Sequence, residues 1–294
     1  MDARFPHALR GIGLMILATT VFGCLDATSK YLSEHYPAPS VVWQRFVLQT
    51  LAMMALFMPR MGLALVKTTS PGLQILRGLC LAFSSVCFVI ALRYMHLAVV
   101  TSIVFLAPIL VALAGAPLLG ERVGLRTWLA LAGGFTGVLL IVRPGGTAFA
   151  WYVALPLACA FGVSGYQLLT RKLAGRAANP ITTLFYPGLM AVALIPVAFP
   201  GAFFVFPTEL LHGVAFIGAG VLGAVGHFLL IRAHSDAPAT LLAPFGYSQL
   251  VVALLLGWLV FGQLPDGIAL VGIAFIAASG LGLVLASRQR VHGK

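Results

Sequence analysis

Apolar residues fill this chain in long runs, and each run ends at proline, glycine or charge. A run of about 20 apolar residues is the length at which an α-helix crosses a bilayer core. The runs and their punctuation predict ten helices, over residues 11–32, 41–59, 71–93, 97–119, 125–143, 150–172, 180–200, 208–232, 237–261 and 267–286. The connections between them leave no room for a separate soluble domain. The expected class is an all-α integral membrane protein whose backbone hydrogen bonds close within helices.

Composition agrees. Of 294 residues, 61% are hydrophobic and 9% are charged, too little polar surface for a soluble domain of this size. The net charge of +11 would point to nucleic acid in a soluble protein. Here the basic residues sit mostly in short loops, so they report membrane orientation and no nucleic-acid partner is expected. If the N-terminus is cytoplasmic, that side holds thirteen of the 18 Lys and Arg, Arg60, Lys67, Arg171 and Lys172 among them. Only Arg93 and Arg143 fall opposite, and Lys30, Arg45 and Arg77 lie within predicted helices. Both termini are therefore expected in the cytoplasm. Arg4 and Arg10 ahead of the first run imitate a signal peptide. That run is long enough to span and ends in Asp26 and Lys30 rather than a small-residue cleavage site, so it reads as a retained helix.

The halves of the chain are weakly alike at a spacing of about 140 residues. Phe22–Gly23 recurs as Phe161–Gly162, SKYL (29–32) as TRKL (170–173), and Gly120–Glu121 stands opposite Gly262–Gln263. The predicted units are 1–145 and 146–294, with five helices each. Five is odd, so equivalent helices must cross in opposite directions. The loops agree: 33–40 carries no Lys or Arg while its counterpart carries Arg176, and 60–70 carries Arg60 and Lys67 while 200–208 carries none. Two inverted five-helix repeats around a central cavity are the mark of a transporter, with the substrate near the midplane between them.

DATSKYL followed by VVWQRF, then ALRYMHLAVVTSIVFLAPILVALAGAPLLGE, and then APATLLAPFGYSQLVVALLLGWLVFGQLPDGIALVG resemble the drug/metabolite transporter superfamily, EamA type, over nearly the whole chain. The resemblance implies a secondary carrier of small metabolites, with helices 1, 3, 4, 6, 8 and 9 around the cavity and helices 5 and 10 outside. Bacterial exporters of amino acids, aromatic ones included, are the expected subgroup, which implies a bacterial inner membrane. The second repeat departs from the usual Gly–Glu ending with Gly262–Gln263, so no carboxylate can serve there.

Counting depth at about 1.5 Å per residue places Phe83, Ser84, Phe105, Pro108, Ser164, Tyr166, Gln167, Tyr247 and Gln249 near the midplane as candidate cavity residues. Tyr247 and Gln249 cannot both face one way on an ideal helix. The competing reading is that these polar groups cement helices together. Pro108 and Pro244 each remove a backbone donor, which either opens a helix toward substrate or simply kinks it. Gly218, Gly220, Gly223 and Gly226 read as close helix packing, and His227 beside them as a structural or a proton-linked histidine. Arg77 reads as snorkelling, and Trp43, Trp128, Trp151 and Trp258 as an interfacial belt. Asp26 and Lys30 stand at i, i+4 on one helix face, with Arg45 one turn into the next helix from the same side. They are expected to form a charge network, either a structural lock or an outer gate.

The expected function is export of small amino acids and similar metabolites by alternating access, with no cofactor and no metal. The cysteines (Cys24, Cys80, Cys87, Cys159) lie in apolar runs and the histidines are scattered, neither with metal-ligand spacing, and no phosphate-binding loop is present. The alternatives are a carrier of another metabolite or of a cationic drug, and an intramembrane lipid-modifying enzyme. The enzyme would usually need clustered acids or histidines at a membrane face. Nothing in the sequence addresses oligomeric state.

Overall fold

A computed structural model describes residues 4–118, 125–142, 151–174, 180–237 and 239–292. Glu121, Arg122, Arg143 and Arg176, which enter the repeat and loop-charge arguments, lie outside the described residues. Within them the regular structure is helical: α1 (Arg4–His35), α2 (Ala38–Met61), α3 (Pro71–Tyr94), α4 (Leu97–Val104), α5 (Ala107–Leu118), α6 (Leu125–Val142), α7 (Ala154–Ala174), α8 (Pro180–Ala198), α9 (Leu210–Asp236), α10 (Ala239–Gly246), α11 (Ser248–Phe261) and α12 (Gly267–His292). Eight helical stretches are long and apolar enough to cross a membrane, and α6 and α12 add shorter apolar stretches at Trp128–Ile141 and Gly267–Gly282. Prolines start helices where no backbone donor is needed, as Pro71 does for α3. Gly262, at φ +62, closes α11 in the left-handed conformation.

Two predicted helices are each split. Residues 97–119 form α4 and α5, broken at Phe105–Leu106, and residues 237–261 form α10 and α11, broken at Tyr247. At the first break the chain tightens: the Leu106 amide donates to Ile103 at 3.1 Å, three residues back. Pro108 has no amide hydrogen for the Val104 carbonyl. At the second, the Tyr247 amide donates to Pro244 at 3.2 Å and the Leu250 amide to Tyr247 at 3.0 Å. The two breaks lie at corresponding places in the halves.

Packing pairs helices across the halves. α1 packs on α9 and α7 on α3; α2 packs on α9 and α8 on α3; α1 packs on α11 and α7 on α5; α6 packs on α12. Each pairing has its counterpart when first-half and second-half helices are exchanged. Contacts within each half break that correspondence. α1, α2 and α3 pack on one another, and across the halves α4 packs on α11. Among the described residues α7, α8 and α9 make no comparable contacts with one another, and neither do α5 and α10.

The first-half contacts gather at the end where α1 and α3 finish and α2 and α4 begin, called here the Lys30 end. A core of Leu32, Val41, Val42, Phe46, Val89, Ile195 and Phe216 fills it. Polar groups at that end are satisfied across helices. The Trp43 indole donates to the Val192 carbonyl at 3.0 Å, Gln44 to the Val205 carbonyl at 3.0 Å, and Tyr36 meets His212 Nδ1 at 3.0 Å. Trp43 is thus a half-buried interior residue, while Trp128, Trp151 and Trp258 are exposed as a belt requires. The opposite end, where α7 finishes, is called the Arg171 end.

Candidate functional site

A cavity of about 340 Å³ lies between the halves, walled by α1, α2, α3, α4, α5, α7, α9 and α11. Its wall is mostly aromatic and aliphatic: Phe22 and Leu25 of α1, Phe46 of α2, Leu81 and Phe88 of α3, Phe105 at the α4–α5 break and Val163 of α7. Polar groups reach it from both halves: Asp26, Arg45, Gln49, Ser84, Ser85 and Thr101 from the first, and Gln167, His227 and Gln249 from the second. The α4–α5 break faces it with Val104, Phe105, Ala107 and Pro108. The proline therefore frees a backbone carbonyl in the cavity wall.

Of the candidate cavity residues, His227 included, Ser84, Phe105, Pro108, Gln167, His227 and Gln249 line the cavity. Four do not. Phe83 is 55% exposed on the outside of the bundle, because its neighbour Ser84 takes the inward face and consecutive helical residues point about 100° apart. Ser164 is buried and donates to the Ala107 carbonyl at 3.2 Å and the Ala160 carbonyl at 2.6 Å, pinning α7 to α5. Tyr166 accepts from Arg77 at 3.2 Å, with the guanidinium 4.7 Å from its ring centroid. Tyr247 packs its ring on Phe105 at 4.9 Å, and its buried hydroxyl has no hydrogen-bond partner. Of the pair Tyr247 and Gln249, the cavity takes Gln249.

Arg77 does not snorkel. It is 1% exposed and donates to Gln74 Oε1 at 3.0 Å as well as to Tyr166. Close packing at this level, where Gly78 meets Met190 of α8 and Gly165 meets Cys80, encloses the side chain between α3, α7 and α8.

The expected charge network is divided. Asp26 Oδ2 accepts from Gln249 Nε2 at 2.8 Å. No ion pair within 4 Å joins Asp26 to Lys30 or to Arg45. Lys30 is 2% exposed, not at the surface, and its Nζ donates to the carbonyls of Leu92 at 2.7 Å and Met95 at 3.1 Å. Those carbonyls end α3, where helical donors run out and partial negative charge gathers, so they satisfy a buried ammonium. Arg45 shares the cavity with Asp26. Its Nη2 donates to Ser85 Oγ at 3.2 Å, its guanidinium lies 4.6 Å from the Phe46 ring centroid, and its Nε is buried without a partner.

Three of the four α9 glycines pack closely, while a Cβ on Gly218 would meet nothing within 4 Å. Gly220 and Gly223 admit Leu48 and Gln49 of α2, and Gly226 admits the Phe22 ring, leaving no space for a Cβ. His227 is both structural and cavity-facing: its Nδ1–H donates to the Gly223 carbonyl at 2.8 Å, and Phe22 meets its ring edge-on at 5.1 Å. The sequence reading missed α2 as a wall, and with it Gln49 and Phe46. The signal was present: Gln49 is polar inside an apolar run and stands one turn from Arg45 on the same face.

Two halves, a cavity between them and paired helix breaks mark a carrier architecture, and the comparisons place it. The pattern of the EamA-like transporter family matches residues 9–143 and again 150–285. This chain belongs to that family. It is similar to a riboflavin transporter of Rhizobium johnstonii, 29% identical over 94% of this chain and 91% of the relative. It is also similar to the pseudopaline exporter of Pseudomonas aeruginosa, at 28% over 93% and 95%. An S-adenosylmethionine uptake transporter of Rickettsia bellii is 26% identical over 97% and 96%. A solved crystal structure shares the fold at a TM-score of 0.63 and 22% identity, covering 97% of this chain and 98% of that one. The family and these relatives are transporters of small molecules, which does not favour the lipid-modifying enzyme. The chain is a multi-pass membrane transporter built from two repeats.

Proposed function

We propose that this protein is a secondary carrier that exports small amino acids and related metabolites, aromatic and apolar ones included, by alternating access to the cavity between its repeats. The observation that carries the reading is the cavity's chemistry: Asp26 and Arg45 share an aromatic-walled space without pairing with each other. A charge at the centre of a spanning helix costs about 2.5–3.5 kcal/mol, and two opposite charges held apart are not repaid by mutual contact. An amino acid offers a carboxylate to the Arg45 guanidinium and an ammonium to the Asp26 carboxylate, and its side chain meets Phe22, Phe46, Phe88 and Phe105.

The repeats, taken as 1–145 and 146–294, are read as inverted and as forming ten spans, with α4–α5 and α10–α11 each counted as one. Lys30 near the end of α1 reaches the end of α3, and Trp151 just before α7 packs on Tyr94 of that same α3 end at 5.4 Å. Both contacts support the reading in which equivalent helices α1 and α7 run in opposite directions. The excess of Lys and Arg at the Arg171 end supports cytoplasmic termini in a bacterial inner membrane. With that orientation the packed Lys30 end faces outward, and the cavity belongs to an inward-facing state.

A second reading, a carrier of a larger or cationic metabolite, draws on the relatives, whose names give riboflavin, pseudopaline and S-adenosylmethionine. Proteoliposome flux with a panel of labelled solutes, with and without a pH gradient, separates the two. Amino acid flux well above empty vesicles is expected. Flux only of a riboflavin-like or cationic solute would overturn the first reading.

A further inference from the structure

The seal at the Lys30 end contains a device whose counterpart is present, in pieces, at the other end. Lys30 ties α1 to α3 by donating to the last carbonyls of α3, Leu92 and Met95. α3 ends in an extended capping residue, Met95, whose amide bonds back to Ala91. α9 ends the same way, with extended Ala237 bonding back to Ala233. Counting from these caps sets the carbonyls of His234 and Ala237 where α3 has Leu92 and Met95. On the other partner, SKYL matches TRKL, which sets Arg171 of α7 where α1 has Lys30. The register is supported by the closing leucines, Leu32 and Leu173, which are both fully buried. The acceptors and the cation are both in place, but α7 and α9 stand apart and Arg171 is exposed.

We propose that Arg171 is the latch of the opposite state: when α7 closes on α9, its guanidinium donates to the carbonyls of His234 and Ala237 and seals the Arg171 end. This rests on the alternating-access reading above. The largest interfaces between the halves have their exchanged counterparts, α4 on α11 and on α12 being the exceptions, so the molecule holds both sets of hinges for α1, α2, α3 and α7, α8, α9. Among the described residues, only the first half has its three leading helices closed on one another. A helix C-terminus draws a cation through its unpaired carbonyls and its partial negative charge. Asp236, already 3.3 Å from Arg10, adds a formal negative charge at the same place. Arginine, with five donors, can bridge both carbonyls as the Lys30 ammonium does.

The test uses the full chain in proteoliposomes on a cysteine-free background. Arg171→Cys with Ala237→Cys is treated with a short bifunctional thiol reagent. Ser33→Cys, fully buried at the Lys30 end, reports opening there to a membrane-impermeant maleimide. Crosslinking of 171 to 237 and a several-fold rise in Ser33→Cys labelling are the expected results. Without crosslinking, Arg171→Ala lowers Ser33→Cys labelling, Arg171→Lys restores it, and Lys30→Ala raises it. Failure of the 171–237 pair to crosslink while Lys30→Ala still raises labelling sinks the latch alone. Labelling that no variant changes sinks the alternating-access reading with it. The readout is labelling rather than flux, so neither outcome depends on the solute.

Discussion

The two repeats are built alike and loaded differently. In the first, α1, α2 and α3 close on one another around Lys30, and α1 and α2 carry Asp26 and Arg45 into the cavity. In the second, α7, α8 and α9 do not close among the described residues, and Gly165, Tyr166 and Gln167 occupy the stretch that matches Asp26. The second repeat answers with two amides and an imidazole, Gln167, Gln249 and His227, and the Gln249 amide is what Asp26 binds. Holding the charges on one repeat lets the other move without carrying an unpaired ion through apolar surroundings, where each would cost several kcal/mol.

The comparison is broken most directly at Arg45. Arg45→Ala should reduce flux by about 10- to 100-fold, the loss of one or more hydrogen bonds to a charged group worth about 1.5–3 kcal/mol, while monodisperse protein persists in size-exclusion chromatography. Full flux from a folded variant would mean that the charged repeat does not bind the substrate. The difference in closure is tested at Gly257 of α11, where a Cβ would already touch the Gln263 carbonyl at 3.5 Å and Leu97 of α4 across the seal at 3.9 Å. Gly257→Trp overpacks that contact by about 1–3 kcal/mol and should shift maleimide labelling at the Lys30 end upward by about tenfold.

Smaller effects sharpen the picture. Gln249→Leu removes the one hydrogen bond from the second repeat to Asp26. Interhelical bonds of this kind average about 0.6 kcal/mol in membranes, so a change of about threefold in apparent KM is expected, with the melting temperature in detergent nearly unchanged. Phe83→Leu should leave flux and stability within error, because that ring lies outside the bundle. A clear loss of flux there would reopen the assignment of α3's inward face to Ser84.

Much of the architecture is legible in the chain. Spanning helices follow from length and apolarity alone, since a bilayer admits only segments that satisfy their own backbone. The helix break ahead of Pro108 follows from a missing amide hydrogen, whereas the second break falls at Tyr247, past Pro244 inside α10; the α9 packing face follows from Gly220, Gly223 and Gly226. Which way a midplane residue points was less legible. Apolar helices with lipid on one side and protein on the other carry no polar face to set their rotation, so Phe83 and Ser84 looked equivalent until packing separated them.

The same limit explains the charges. Sequence spacing put Lys30 and Asp26 on one helix face and made them look like partners. Tertiary structure offered each a better one: the carbonyls that end α3 for Lys30, and the Gln249 amide for Asp26. Membrane insertion, repeat and family were fixed by properties that add up residue by residue along the chain. The choice of partner for a buried charge, and the end of the bundle that is sealed, came from competition between groups far apart in sequence, which only the packed bundle brings within reach.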